Sequence, residues 1–251
     1  MLLDSNADER RRLYAEVYDE LFRRVPDHPM LTAGAEARAS RTAAQLRLLR
    51  PFLRPDTSFL EIGPGDCSLS IAVAGYVKRV LAVEVSREIT SEVRAPATLR
   101  VVRSNGVDIP IEPGTIDLAY SNQVMEHLHP DDAAAQLAGI YAVLKPGGVY
   151  VCVTPNRLTG PHDISKYFGS EPRGFHLKEY TLPELLALCR RVGFSSTRAP
   201  VPIRGTRWVA PWTVGALQRF VAALPAALAD GISQSRRFRD FFATLRVAAV
   251  K

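Results

Sequence analysis

The stretch Phe59-Leu60-Glu61-Ile62-Gly63-Pro64-Gly65-Asp66-Cys67-Ser68-Leu69 decides the reading of this chain, because an apolar run ends in an acid and opens straight into a glycine turn. Such a run predicts a buried strand that delivers a carboxylate and a bare backbone to whatever lies beyond its tip. With no Cβ at Gly63 and Gly65, the loop can turn tightly and lay its N–H groups against a ligand. A helix predicted to begin near Asp66 aims its N-terminus at the same point. A Gly-x-Gly pair is unspecific alone, but its company narrows it. Val80-Leu81-Ala82-Val83-Glu84 is a second apolar run closing on an acid, at the spacing of about twenty residues where a ribose would present its hydroxyls.

Outward from this stretch, short apolar runs alternate with helical segments. Strands are predicted near 58–63, 79–84, 99–103, 116–121 and 148–154. Such alternation implies an α/β fold with a parallel sheet covered on both faces. Pro130-Asp131-Asp132 opens a helix that Lys145-Pro146-Gly147-Gly148 closes. Thr181 and Glu184 form a capping box for another helix, which ends at Gly193. A strand follows over 194–201, and Leu245–Val250 reads as a closing β-run. Upstream, Leu13, Val17, Leu21 and Phe22 recur at helical spacing over 8–25, and a second helix covers 34–50. The reading is one domain: an N-terminal helical cap over 1–50, a core over 57–203, a helical insertion over 204–243 and a closing strand over 244–251.

A chain of 251 residues with 47% hydrophobic content suits one α/β domain with a modest appendage. Asp4, Asp8 and Glu9 near the start argue against a signal peptide, and no apolar stretch is long enough to span a bilayer. Cys67, Cys152 and Cys189 lack metal-ligand spacing and cannot all pair, which points to a reducing cytoplasm. Most of the net charge of +6 sits in the insertion, where Arg204, Arg207, Arg219, Arg236, Arg237 and Arg239 face only Asp230 and Asp240. Trp208, Trp212, Phe220 and Phe238 interleave with them. That mixture fits an amphipathic cap or a homodimer contact, or else a surface for peripheral contact with anionic membrane or a lipid-linked acceptor.

Taken in order, LEIGPGD, VLAVEVS, SNGVDIPIEPGTIDLAYSNQVMEHL, LKPGG with VTPN, and FHLKEYT resemble the class I S-adenosylmethionine-dependent methyltransferases, in particular the small-molecule group similar to those of quinone biosynthesis. The resemblance covers roughly residues 57–200. It implies a Rossmann-like, seven-stranded, mostly parallel sheet whose last strand pairs antiparallel beside the sixth, with S-adenosyl-L-methionine as cofactor and a small-molecule acceptor. It also implies roles. Glu61, Gly63 and Gly65, with Asp66 beside them, would surround the methionine portion, and Glu84 would accept hydrogen bonds from both ribose hydroxyls. Val85 would lie against the adenine, Asn105 would receive its amino group, and Gly106 would offer a backbone amide to the ring. Ser121 and Asn122 would sit beside the transferred methyl.

The charges agree with this reading, because a sulfonium and an ammonium suit acids at strand tips. A dinucleotide pyrophosphate would instead be repelled by Glu61, and Ser68 replaces the third glycine of the dinucleotide fingerprint. Nucleic acid is disfavoured as a substrate. Ser121-Asn122-Gln123-Val124 lacks the Asn/Asp-Pro-Pro-aromatic signature of base-amine methylation, and the chain has no Pro-Cys pair.

Methyl transfer is an in-line displacement that needs no metal, but an oxygen nucleophile needs a base. The candidates are His127, His162 and His176. His127 reads either as a base or as a local hydrogen-bonding residue in a helix start. His162 lies in a loop leaving a strand's carboxyl end, where open α/β sheets place their sites. His176 either contacts substrate or anchors its loop to Glu179 or Tyr180. Tyr14, Tyr18 and Phe22 read first as an apolar helix face packed on the domain, and second as a lid.

Overall fold

The structure, a computed structural model, describes residues 2–169, 171–201, 207–222 and 243–251. Its spine is an eight-stranded sheet made of β1 (Ser58–Ile62), β2 (Arg79–Glu84), β3 (Leu99–Arg103), β4 (Ile116–Asn122), β5 (Leu144–Pro155), β6 (Ser196–Val201), β7 (Arg207–Val209) and β8 (Thr244–Val250). The strand order is β3-β2-β1-β4-β5-β8-β6-β7. The first five strands run parallel. The closing strand β8 enters antiparallel between β5 and β6.

Period-two alternation splits the core into two layers. On β1, Leu60 and Ile62 join one apolar cluster while Phe59 joins the other, and on β5 Tyr150 and Cys152 separate in the same way from Val151 and Val153. The first layer is covered by α5 (Pro130–Val143) and α6 (Leu182–Val192), the second by α3 (Ala35–Leu49) and α4 (Ser68–Val73). All five residues of β1 are buried, as a central strand covered on both faces requires. The predicted capping box at Thr181 and Glu184 is present, and Gly193 ends α6 in the left-handed conformation.

Three expectations are corrected. The sheet has eight strands and not seven, because Arg207-Trp208-Val209, read as part of a helical insertion, pairs antiparallel with Ala199–Val201. Trp208 packs edge-on to Phe52 at 5.3 Å, which gives this edge strand an apolar anchor. The helix after the glycine turn starts at Ser68, two residues later than expected, because Asp66 uses its side chain to accept from Ser68 N at 3.0 Å. Of the two helices predicted in the insertion, α7 (Pro211–Ala222) is present. The other lies outside the described residues, as do Arg204, Arg236, Arg237 and Arg239.

The N-terminal helix α1 (Ala7–Arg24) starts from a capping box of Asn6 and Glu9, and it is tied down near both ends. Arg10 Nε pairs with Asp132 Oδ2 of α5 at 2.5 Å, a contact with both side chains buried. Tyr14 Oη donates to the same carboxylate at 2.9 Å and accepts from His129 N at 2.9 Å. Further along, Asp19 Oδ1 accepts from Ser86 Oγ at 2.7 Å and Arg87 N at 2.8 Å, just past β2. The helix therefore spans the gap between the ends of β2 and β4. What lies beneath it is the site.

Candidate active site

Register brings three strand tips level: Ile62 of β1 stands opposite Val83 of β2 and Ser121 of β4. Strand order reverses between β1 and β4, and open α/β sheets bind ligands at such a switch point, beyond the carboxyl ends. A cavity of about 360 Å³ opens there. The turn Gly63–Asp66 forms its floor, Glu84, Val85, Ser104 and Gly106 one wall, and Asn122, Val124 and His127 another. Tyr14, Tyr18 and Phe22 of α1 and Met30 of the short helix α2 (Pro29–Thr32) close it from above. The helix face read first as ordinary packing is thus also the roof of a ligand cavity.

Glycine is required at the turn. Gly63 and Gly65 have φ of +64° and +55°, and a Cβ on Gly63 would stand 2.6 Å from Val124 Cγ2. Glycine holds such angles without the penalty a Cβ brings.

Glu61 and Glu84 both face this space from buried positions. The Glu84 carboxylate accepts from Gly65 N at 3.1 Å, Val85 N at 2.8 Å and Ser86 N at 3.0 Å, so it stitches the tip of β2 to the glycine turn. Burial nevertheless holds its carboxyl above the ordinary range. Glu61 accepts from Ser70 Oγ at 2.5 Å, and burial, with the Asp66 and Glu84 carboxyls nearby, pushes it up to about 8. Among the described residues neither acid has an ion pair. Two buried carboxyls without a cationic partner make the cavity a receptor for positive charge.

The other expected residues divide. Asp66, Val85, Gly106 and Asn122 line the cavity. Asn105 does not, for its Oδ1 is already occupied by Val107 N at 3.0 Å and Asp108 N at 2.9 Å in a local turn. Ser121 is fully buried and shares its hydroxyl with Tyr150 Oη at 2.6 Å, within the sheet.

Of the three histidines, only His127 lines the cavity. Its Nδ1 lies 2.9 Å from Phe175 O, and a carbonyl can only accept, so Nδ1 carries the proton and Nε2 the lone pair. Burial pushes this imidazole down to about 4, which leaves it neutral at physiological pH. The ring of His162 is turned back into its own loop, with Nε2 at 3.1 Å from Asn156 O and 3.0 Å from Thr159 Oγ1. His176 anchors to Glu179 Oε1 at 2.7 Å, and that carboxylate raises its pKa against the opposing effect of burial. Sequence reasoning missed Met30, Arg41, Gln45 and Gln136 in the cavity lining. Nothing in their local pattern marks them, since each arrives from an element distant in sequence.

Residues 60–152 match the family model described as a methyltransferase domain. The segment from β1 into β5 carries this methyltransferase domain, and the curated relatives that match it are described as probable S-adenosylmethionine-dependent methyltransferases. A probable S-adenosylmethionine-dependent methyltransferase of Mycolicibacterium smegmatis is 30% identical over 136 residues, which cover 54% of this chain and 51% of the relative. One from Mycobacterium tuberculosis is 28% identical over 136 residues, covering 54% of this chain and 47% of that protein. The chain thus spans about half the length of these curated relatives.

Among solved structures, a putative methyltransferase of Haloferax volcanii bound to the Trm112 activator superposes with a TM-score of 0.61 at 15% identity, covering 95% of this chain and 96% of that one. The 1,6-didemethyltoxoflavin-N1-methyltransferase of Burkholderia thailandensis, solved with bound 1,6-didemethyltoxoflavin and S-adenosylhomocysteine, gives a TM-score of 0.58 at 18% identity, covering 98% of this chain and 91% of that one. These likenesses concern the fold. The residues present fit the cofactor on their own chemistry, because a ligand carrying sulfonium and ammonium charges meets two buried acids that have no ion pair among the described residues.

Proposed function

We propose that this chain transfers the methyl group of S-adenosyl-L-methionine to a small-molecule acceptor through an oxygen nucleophile. The observation that carries this reading is the convergence of the Gly63–Gly65 turn and the buried acids Glu61 and Glu84, neither of them ion-paired among the described residues, on one cavity at the carboxyl edge of the sheet. When bound, the cofactor supplies a methyl on a cationic sulfur.

Glu61, Gly63, Gly65 and Asp66 would hold its methionine portion, Glu84 its ribose, and Val85 and Gly106 its adenine. With Asn105 committed to its own turn, the backbone around Ser104 and Gly106 takes on the adenine contacts. Asn122 would lie nearest the reacting end. In-line displacement asks mainly for alignment, which can supply about 7–11 kcal/mol of the barrier. The apolar side chains Tyr14, Tyr18, Phe22 and Met30 line that space and would limit water beside the reacting line. His127 turns a neutral lone pair toward the acceptor side, where it would meet the hydroxyl proton. A placed base of this kind contributes about 100- to 10,000-fold.

A second reading has its own observation. Trp212 and Phe220 of α7 are 71% and 63% exposed beside Arg219, a surface suited to a lipid-linked acceptor. Cosedimentation with anionic vesicles at low salt separates the two readings, since only the second expects the protein in the pellet.

Calorimetry with the cofactor, followed by a mass-spectrometric screen of metabolites for the gain of one methylene unit, tests the main proposal. Absence of cofactor binding ends the transfer reading. Turnover confined to amines ends the oxygen assignment.

A further inference from the structure

The loop before α6 folds back onto the turn after β4, where Leu177 N and Lys178 N both donate to Glu126 O, at 2.7 and 3.2 Å. This brings His176 beside the adjacent pair Glu126 and His127, with the two imidazole rings edge to face at 5.0 Å. One donor atom from each of the three residues lies within 4.8 Å of the others. Glu126 is 0% exposed. Its Oε2 accepts from Thr154 Oγ1 at 2.9 Å, while its Oε1 is buried with no hydrogen-bond partner. A buried carboxylate oxygen without a donor costs free energy that a cation, a proton or a donated hydrogen bond would relieve.

We propose that Glu126, His127 and His176 bind a divalent transition-metal ion of the zinc class at the acceptor side of the cavity.

Both rings are already held as ligands are held. His127 gives its Nδ1 proton to Phe175 O and His176 gives its own to Glu179 Oε1, so each offers Nε2 outward. Metal-ligating histidines nearly always carry such a partner on the other nitrogen, which fixes tautomer and ring plane. Glu179 is in turn braced by His162 N at 2.6 Å, which gives the loop around His162 a supporting role. Two imidazoles and one carboxylate suit zinc, iron or manganese better than calcium or magnesium. Bonds of about 2.0–2.2 Å require the donors to close in by on the order of 1 Å.

Three protein ligands leave a position open. His127 lines the cavity, so an acceptor oxygen is the fitting occupant; with His127 Nε2 spent on the ion, the metal would acidify that hydroxyl in place of the histidine base, its proton leaving to solvent. That last step rests on the transfer reading, whereas binding of the ion does not. The site departs from the expectation that no metal takes part. The competing arrangement is a doubly protonated His176 lying between Glu126 and Glu179.

Chelator-stripped full-length protein titrated with Co²⁺, and separately with Zn²⁺, decides between them. The expected result is one ion per chain, visible d–d bands with Co²⁺, and loss of both in Glu126→Gln and His176→Gln. Glu179→Gln, which removes only the outer carboxylate, should weaken binding roughly 10- to 100-fold. Circular dichroism establishes that each variant is folded. If Glu126→Gln does not fold, the wild-type nitrogen resonances of both histidines with and without Zn²⁺ decide instead. Stoichiometry far below one, binding retained in folded Glu126→Gln, or a His176 that keeps both ring protons in excess Zn²⁺ overturns the proposal. Cofactor affinity measured on the same stripped protein shows separately whether the transfer reading stands.

Discussion

At the scale of single residues, Glu61 makes a pH prediction whose sign is fixed by its surroundings. An unfolded glutamate titrates near 4.3, whereas in the folded chain burial, with Asp66 and Glu84 nearby and only Ser70 donating, raises Glu61 to about 8. The folded state therefore holds more protons than the unfolded one across that window. Stability of the cofactor-free protein falls as pH rises from about 4.5 to about 8. Denaturant unfolding at several pH values should show this decline, and Glu61→Gln should flatten it. An unchanged slope in the variant would mean that Glu61 is not the group responsible. Glu84→Gln removes a charged acceptor from the cavity, and loss of hydrogen bonds to a charged group, worth about 1.5–3 kcal/mol, weakens cofactor binding roughly 10- to 150-fold. Calorimetry showing wild-type affinity would move the ribose elsewhere. These two acids are legible in sequence because each ends an apolar run, and a strand tip can only present its last side chain to the crevice. Asn105 is not legible in that way. Asparagine readily satisfies itself in a local turn, and nothing in its neighbours says whether its oxygen faces a ligand or its own backbone.

At the scale of elements, strands and caps follow from local chemistry, while the roof does not. The apolar periodicity of α1 marks a buried face, but the partner of that face depends on Arg10 and Tyr14 meeting Asp132, 122 and 118 residues away. No window along the chain contains that contact. β7 is not legible in sequence for a related reason, since three residues carry little periodicity and the strand pairs along the edge that β6 offers. The Asp132 junction gives a prediction for the element as a whole. Asp132→Ala leaves the Arg10 charge buried and unmatched, which costs about 3 kcal/mol, toward the low end for breaking a buried pair. It should also loosen the N-terminal half of α1. Hydrogen exchange should quicken at Tyr14 and its neighbours more than in β1 or β4, and cofactor affinity should fall because the roof is shared. Uniform acceleration across the sheet would show instead that Asp132 holds the entire fold and not the helix.

At the scale of the molecule, one cavity joins the tips of β1, β2 and β4 to the N-terminal helices, so a ligand in it should stabilise the assembly as a unit. Binding only to the folded state contributes about 2.7 kcal/mol when the cofactor is present at about 100 times its dissociation constant. For a chain of this length each kcal/mol is worth about 2–4 °C, so the melting temperature should rise by roughly 5–10 °C. The pattern of protection matters more than the size of the shift. A ligand seated between Glu61, Glu84 and the roof should slow exchange together in the 63–70 turn, in α1 and in the segment after β2 that Asp19 holds. Glu84→Gln at the same cofactor concentration should show a smaller rise, in proportion to its weaker binding. A full-sized rise without protection of α1 would place the cofactor outside this cavity, and the roles assigned to Glu61 and Glu84 would fall with it.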